Sequence, residues 1–352
     1  MTDLDTRKDD VSNYYSEVLS STDDLQTTAC CTTEAMPSYL KPIASQIHPE
    51  VLSRFYGCGS PIPHSLTGKT VLDLGCGTGR DCFMISKLVG PSGKVIGIDM
   101  TEEQLEVARN QEVFHQELWG YERPNTDFRS GVIEDLKSVD LADNSVDVVI
   151  SNCVINLSAD KEKVFSEIFR VLKPGGELYF SDVFSDRRIP TELKNDKVMV
   201  GECLGGALYI EDFRRMLYQL GVPDYRIITT SKIDLKNEKL EQCAGNINFY
   251  SITIRAFNLD IEDRCEDYGQ VAIYKGTIPE SPNNFILDDH HNFETNRPML
   301  VCSNTAAMVR DTRYQEHFEI IGDESQHFGL FDCAPVAGAV SQDSDDSLGG
   351  CC

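Results

Sequence analysis

Between residues 69 and 184 short apolar runs alternate with stretches of helical spacing, and this repetition restricts the chain more than any other feature. Lys69–Leu74 (KTVLDL) is β-branched and apolar and stops at a glycine cluster, after which Arg80–Val89 takes up helical periodicity. Lys94–Asp99 predicts a second buried strand. Thr101–Trp119 predicts one long helix, with Thr101 and Gln104 spaced as a capping box, and Asp127–Ser130 a third strand. Val146–Ser151 reads as the fourth strand and Lys161–Leu172 as a helix ended by Pro174-Gly175-Gly176. Glu177–Phe184 is the fifth strand. A helix at Glu211–Leu220 and strands at Tyr225–Thr230 and Asn248–Phe257 bring the count to seven strands. Repeated βα units imply parallel neighbours with helices on both faces, so the expected class is α/β and Rossmann-like.

The flanks read differently. Residues 1–68 are polar and punctuated by proline, with short amphipathic stretches at Val11–Leu19 and Pro49–Phe55, and they read as a cap. Beyond Leu259 the pattern changes to short pieces such as a strand at Val271–Tyr274 and a helix at Asn304–Asp311, which predicts a small α+β domain over 259–333. Residues 334–352 are poor in large apolar groups and rich in Ser, Asp and Gly, a composition that predicts disorder. The domain of repeated βα units is then 69–258. No internal repeat is present.

A net charge of −25, with acids along the whole length, repels phosphate backbones and anionic lipid headgroups, which argues against nucleic-acid and membrane partners. No run approaches the roughly 18 apolar residues of a membrane helix. The amino terminus, MTDLDTRKDD, carries acids where a secretory signal has a basic start. A soluble, cytoplasmic monomer is expected. The 13 cysteines are odd in number and come without an export signal, so most thiols are expected to stay free. A free cysteine is ordinarily a small buried hydrophobe, and position must argue otherwise.

The first βα turn reads Asp73-Leu74-Gly75-Cys76-Gly77-Thr78-Gly79-Arg80. Glycines there let a backbone approach a ligand lying outside the carboxyl ends of the strands. A carboxylate two residues before the loop suits a cationic amino group and repels a pyrophosphate, which favours S-adenosylmethionine over NAD. The dinucleotide motif also needs its third glycine where Arg80 stands. Asp99, at the end of the second strand, is placed to accept hydrogen bonds from ribose hydroxyls. Glu134 could meet an adenine amino group or simply begin a helix with Asp135. Tyr56, Cys76, Met100, Ile133 and Asn152 complete the candidate cofactor set. The loop, together with Lys173-Pro174-Gly175-Gly176 before the fifth strand, resembles the class I methyltransferase fold, which alone does not identify an acceptor.

At the end of the fourth strand, facing the expected methyl group, stands Cys153, with no evident general base beside it. The nearest histidines, His115 and His64, fall in a helix and in a loop outside the sheet. An acceptor that needs no deprotonation fits that setting. Trivalent arsenic carries its own lone pair, is thiophilic and takes three sulfur ligands, which must gather within roughly 4 Å of one another if As–S bonds resemble zinc–thiolate bonds. A structural zinc site is the rival, but no Cys-x-x-Cys pair occurs.

Five strings together resemble the arsenite methyltransferase family, from Asp24 to about Ile320. They are Asp24-Leu25-Gln26-Thr27 before Cys30, Tyr56-Gly57-Cys58-Gly59, Gly79-Arg80-Asp81-Cys82, Ser151-Asn152-Cys153-Val154-Ile155-Asn156-Leu157, and Gly201-Glu202-Cys203 through Tyr209. The resemblance implies that Cys58, Cys153 and Cys203 bind the trivalent arsenical, and that Cys30 serves arsenite binding or disulfide exchange. It also implies arsenite, methylarsonous acid or their glutathione conjugates as substrates. Thioredoxin or glutathione would be the reductant, and methylated and dimethylated arsenicals the products, with trimethylation a further step. Cys76 and Cys82 read as packing groups, and Cys31 is ambiguous. The Gly349-Gly350-Cys351-Cys352 tail resembles a prenylation end, though this family often has a cysteine pair there; it reads as accessory or redox-active. The alternative function is methylation of a carbon or oxygen acceptor, with the cysteines merely packing.

Overall fold

The computed structural model describes residues 36–54, 57, 59–194, 199, 203–235 and 238–332. Strands β1 (Thr70–Leu74), β2 (Lys94–Asp99), β3 (Thr126–Ser130), β4 (Val146–Asn152), β5 (Leu172–Ser185), β7 (Tyr225–Lys232) and β8 (Phe249–Phe257) form one sheet in the order β3-β2-β1-β4-β5-β8-β7. The first five are mutually parallel, and β8 runs antiparallel to both β5 and β7. A two-residue strand, β6 (Leu208–Tyr209), adds to the end of β5, so the sheet has one short member beyond the expected seven. The chain therefore has the Rossmann-like architecture of a class I methyltransferase.

Alternation along the strands decides what each face buries. Leu72 and Leu74 of β1 and Ile96 and Ile98 of β2 join Phe165 of a helix at Lys161–Val171 and Phe213 of a helix at Ile210–Gln219. Val71, Val95, Val148 and Ile150 point the other way, to Phe83 and Leu105. Leu40, Ile47, Val51, Ile62 and Leu66 pack into this second cluster, so the described part of the expected cap shares its core with the sheet. Asp73 and Gly97 fall between Val71, Val95 and their helices by the same alternation. A carboxylate is thereby buried beneath the helix Arg80–Val89.

Two sequence expectations change. Thr101–Trp119 is two helices, Glu102–Asn110 and Glu112–Leu118, with Gln111 between them at φ −102°, ψ 2°. The break lets His115 stack on Phe83 with centroids 3.8 Å apart, and the Gln111 carbonyl accepts from the His115 amide as well as lying 2.8 Å from its Nδ1. The Thr101 side chain makes no capping bond; its backbone N–H donates to Asp99 Oδ1 instead. The second change is β5, which continues back through Pro174-Gly175-Gly176 to Leu172, paired with Val146 across a register shift. Gly175 (φ 75°) is needed there because a Cβ would sit 2.5 Å from the Asp311 carbonyl.

After β8 a small antiparallel domain follows. Its central sheet pairs β10 (Gln270–Tyr274) with β13 (Pro298–Val301) and β14 (Phe318–Ile321). Short ladders join β11 (Asn284–Ile286) to β12 (Asn292–Glu294) and β9 (Glu266–Asp267) to β15 (Gly329–Leu330). The helix Ser303–Arg310 is buried over most of its length, and Cys302 caps it through Sγ, which accepts from the Thr305 N–H. This domain meets the sheet through Glu177, wholly buried, whose carboxylate pairs with Arg255 at 2.6 Å and with Arg313. The Val11–Leu19 helix and the expected disorder of 334–352 lie outside the described residues.

Candidate functional site

A cavity of about 150 Å³ opens at the carboxyl ends of β1, β2 and β4. The glycines of the first turn serve it unequally. Gly75 (φ 71°) could take no side chain, since a Cβ would lie 2.4 Å from Val154, and Gly79 (φ 84°) would meet Phe128 at 2.8 Å. Only Gly77 (φ 52°) faces open space, with nothing within 4 Å of an added Cβ. Gly79 does not line the cavity; it begins the helix Arg80–Val89.

Asp99 holds the turn. Its Oδ2 accepts the Gly77 N–H at 2.9 Å and its Oδ1 the Thr101 N–H at 2.8 Å, and burial raises its pKa. Asp73 accepts the Cys82 thiol at 3.2 Å, and burial, with Asp81 close by, pushes it up to about 8. Met100, Ile133 and Glu134 also line the cavity, with Glu134 Oε1 accepting from Ser158 Oγ at 2.7 Å. Asn152 Nδ2 donates to Asp81 Oδ2 at 3.0 Å and to the Gly59 carbonyl at 3.1 Å. Arg80 donates to Asp81 through Nε and Nη2 and to Gly59 at 3.3 Å. Three carboxylates, Asp73, Asp81 and Asp99, thus ring one end of the cavity, a setting that fits a cation.

Cys153 follows β4 in the left-handed region (φ 57°), and Cys203 has φ 62°. Both are uncommon for residues with a Cβ, a strain that clusters at functional positions. The Cys153 amide donates to Ser181 O at 2.8 Å, and the buried Cys203 Sγ donates to the Cys153 carbonyl at 3.4 Å. Cys153 lines the cavity. It is disulfide-bonded, as is Cys265; Cys76, Cys82, Cys203, Cys243 and Cys302 keep their thiols. Tyr56, Cys58, Cys30, Cys31, Cys351 and Cys352 lie outside the described residues.

No histidine lines the cavity. His115 is buried and His64 half-buried elsewhere, and desolvation brings each down to about 4. Asp182, which sequence reading missed, is buried beneath the turn after Cys153, accepting from Asn156 N, Asn156 Nδ2 and Val183 N; burial pushes it up to about 7. Asp81 and Ser158 were also missed. The spacing of Asp81 from the glycine loop was visible, but nothing local announced its partner 71 positions away.

Residues 65–221 match a methyltransferase domain model, and residues 267–344 match the arsenite methyltransferase C-terminal domain. An arsenite methyltransferase of Aquipseudomonas alcaligenes is 53% identical over 92% of this chain and 93% of its own. That of Homo sapiens is 38% identical over 97% and 96%. The crystal structure of an arsenic(III) S-adenosylmethionine methyltransferase from Chlamydomonas reinhardtii superposes with a TM-score of 0.82 at 48% identity, covering 84% of this chain and 99% of that one. With such identity sustained over nearly its whole length, in the sheet and in the appended domain alike, the chain belongs to the arsenite methyltransferase family.

Proposed function

We propose that this protein methylates trivalent arsenic held by cysteine sulfurs, with S-adenosylmethionine as donor. The observation that carries the reading is the meeting of Cys203 Sγ with the Cys153 carbonyl at the wall of a carboxylate-ringed cavity that no histidine lines. When bound, S-adenosylmethionine supplies an electrophilic methyl group on a cationic sulfur. Asp73 and Asp81 suit its positive charges, Asp99 its ribose, Gly77 leaves room, and Met100, Ile133 and Glu134 border the adenine end.

Arsenite, or its glutathione conjugate, exchanges its ligands for the thiols of Cys58, Cys153 and Cys203, with Cys30 delivering or retaining the first substrate. Three sulfurs leave the arsenic lone pair unused, so the acceptor needs no base and positioning replaces proton removal. Transfer of a methyl cation leaves arsenic oxidised by two electrons. Two thiolates return those electrons and end as a disulfide, which thioredoxin or glutathione reduces before the next turnover. The disulfide on Cys153 supports a redox part for that residue. Among the described residues no helix is long and apolar enough to cross a membrane; a cytoplasmic location and a monomeric state are part of the proposal. The boundaries 1–68, 69–258, 259–333 and 334–352 are proposed as its units.

Purified protein with arsenite, thiol and labelled methyl donor tests the activity. Serine at Cys58, Cys153 or Cys203 is expected to abolish methylation of arsenite and of methylarsonous acid while the fold survives, because a hydroxyl is a harder ligand that stays protonated. Cys30→Ser, with Cys31→Ser added, is expected to lose arsenite methylation and keep methylarsonous acid methylation. Activity without added thiol on a carbon or oxygen acceptor, and none on arsenic, would decide for the alternative.

A further inference from the structure

Behind the cofactor turn two thiols face one another. Cys76 and Cys82 converge on one point, for a Cβ added at Gly97 would lie 2.8 Å from the Cys76 sulfur and 3.0 Å from that of Cys82. Cys82 donates to the Asp73 carboxylate, and Cys76 also borders the donor cavity. Neither sulfur has a part in the mechanism above.

We propose that Cys76 and Cys82 form a second arsenical site, a dithiol for trivalent arsenicals with two exchangeable ligands such as methylarsonous acid, and that its occupation closes the donor cavity. Two sulfurs bound to one centre at about 2.3 Å, by analogy with zinc–thiolate bonds, must stand within roughly 4 Å, and these two already flank a single point, 2.8 and 3.0 Å from it. With methylarsonous acid two As–S bonds form and two As–O bonds break. Each thiol proton leaves with a hydroxide as water, and no electrons change hands. Burial pushes Cys76 up to about 11 and Cys82 well above its usual value, so both react as thiols, and Asp73 stands within reach to relay the Cys82 proton.

The sheet side of the pair is closed, since the Cβ position at Gly97 also lies 2.8 Å from Phe128. An arsenic atom with its methyl group must therefore project toward the cavity of about 150 Å³, beside Gly75 and Gly77, where the donor is held. Arsenicals with a single exchangeable ligand cannot bridge the two sulfurs. If the acceptor reading holds, the first methylation product limits its own formation; the site itself does not depend on that reading.

The test uses the full chain carrying Cys58→Ser, Cys153→Ser and Cys203→Ser, with circular dichroism to verify the fold and methylarsonous acid as the probe. Calorimetry gives the S-adenosylmethionine affinity with and without it. The expected result is at least a tenfold loss of affinity with probe, and no such ratio once Cys82→Ser is added. An unchanged affinity, or a ratio that persists with Cys82→Ser, overturns the proposal. Anomalous diffraction from crystals of the unsubstituted chain soaked in the probe needs no variant to fold. Arsenic between Cys76 and Cys82 supports the site, whereas arsenic at Cys153 and Cys203 alone overturns it and leaves the acceptor reading standing.

Discussion

Asp73 and Asp99 carry the same charge in the sequence, yet the fold gives them different work. Asp99 accepts one backbone N–H at each oxygen and so fixes the turn as well as facing the cavity. Asp99→Ala is expected to weaken donor binding by about 1.5–3 kcal/mol for each charge-assisted bond lost, while arsenical binding measured without donor is nearly unchanged. Calorimetry separates the two, and an undiminished donor affinity would remove Asp99 from the site. Asp73 is raised to about 8, so in the ligand-free protein its protonated form is favoured at neutral pH. A raised folded pKa contributes stability present below the ordinary carboxylate range and lost as pH climbs through about 8. A cationic donor reverses the preference. Donor binding at pH 7 is therefore expected to release protons and to tighten as pH rises toward 8, seen as a buffer-dependent heat; heats that match across buffers would contradict it. Position and residue type made Asp73, Asp99 and Cys153 legible in the sequence. The Asp81–Asn152–Gly59 connection was not, because its partners stand 71 and 93 positions apart.

The turn between β1 and the helix Arg80–Val89 shows what a motif says and omits. Its glycine spacing announced a ligand loop, but packing, invisible in the string, assigns the glycines separate tasks. Gly75→Ala would drive a Cβ to 2.4 Å from Val154 on a left-handed backbone, so loss of the folded state in urea melts is expected. Gly77→Ala meets nothing within 4 Å and should cost only about 1–2 kcal/mol of stability for its backbone, yet weaken donor binding. Equal melting midpoints for the two variants would refute the distinction. Strands were legible because alternation and composition are local. The break at Gln111 was not: no Gly or Pro marks it, and what accompanies it, His115 stacked on Phe83, is a contact between residues 32 positions apart. Likewise Pro174-Gly175-Gly176 reads as a turn locally, while β5 runs through it under pairing with Val146 and the pressure of Asp311 on Gly175.

Across the molecule, one buried carboxylate joins the two folded units. Glu177 takes Arg255 from the sheet and Arg313 from the appended domain, and Arg313 also donates to the His64 carbonyl at 3.0 Å. Glu177→Gln leaves two guanidinium groups without their counter-charge, so a loss of about 3–5 kcal/mol in denaturant unfolding is expected, in one cooperative transition if the units depend on each other. A change below 1 kcal/mol would show the network to be incidental. Only the existence of a small mixed domain after Leu259 could be read from the string; how it attaches could not, since Glu177 and Tyr314 are 137 positions apart. The carbonyl of Gly59 is shared in a comparable way, bonded by Arg80 and Asn152 while both also hold Asp81 at the cavity. An arsenical held at Cys58, the residue before Gly59, would be coupled through this oxygen to the donor side of the cavity, and to the same factor in both directions. Coupling of that kind appears when double-reciprocal plots for each substrate at fixed levels of the other intersect off the concentration axis, whereas independent saturation would place the intersection on it.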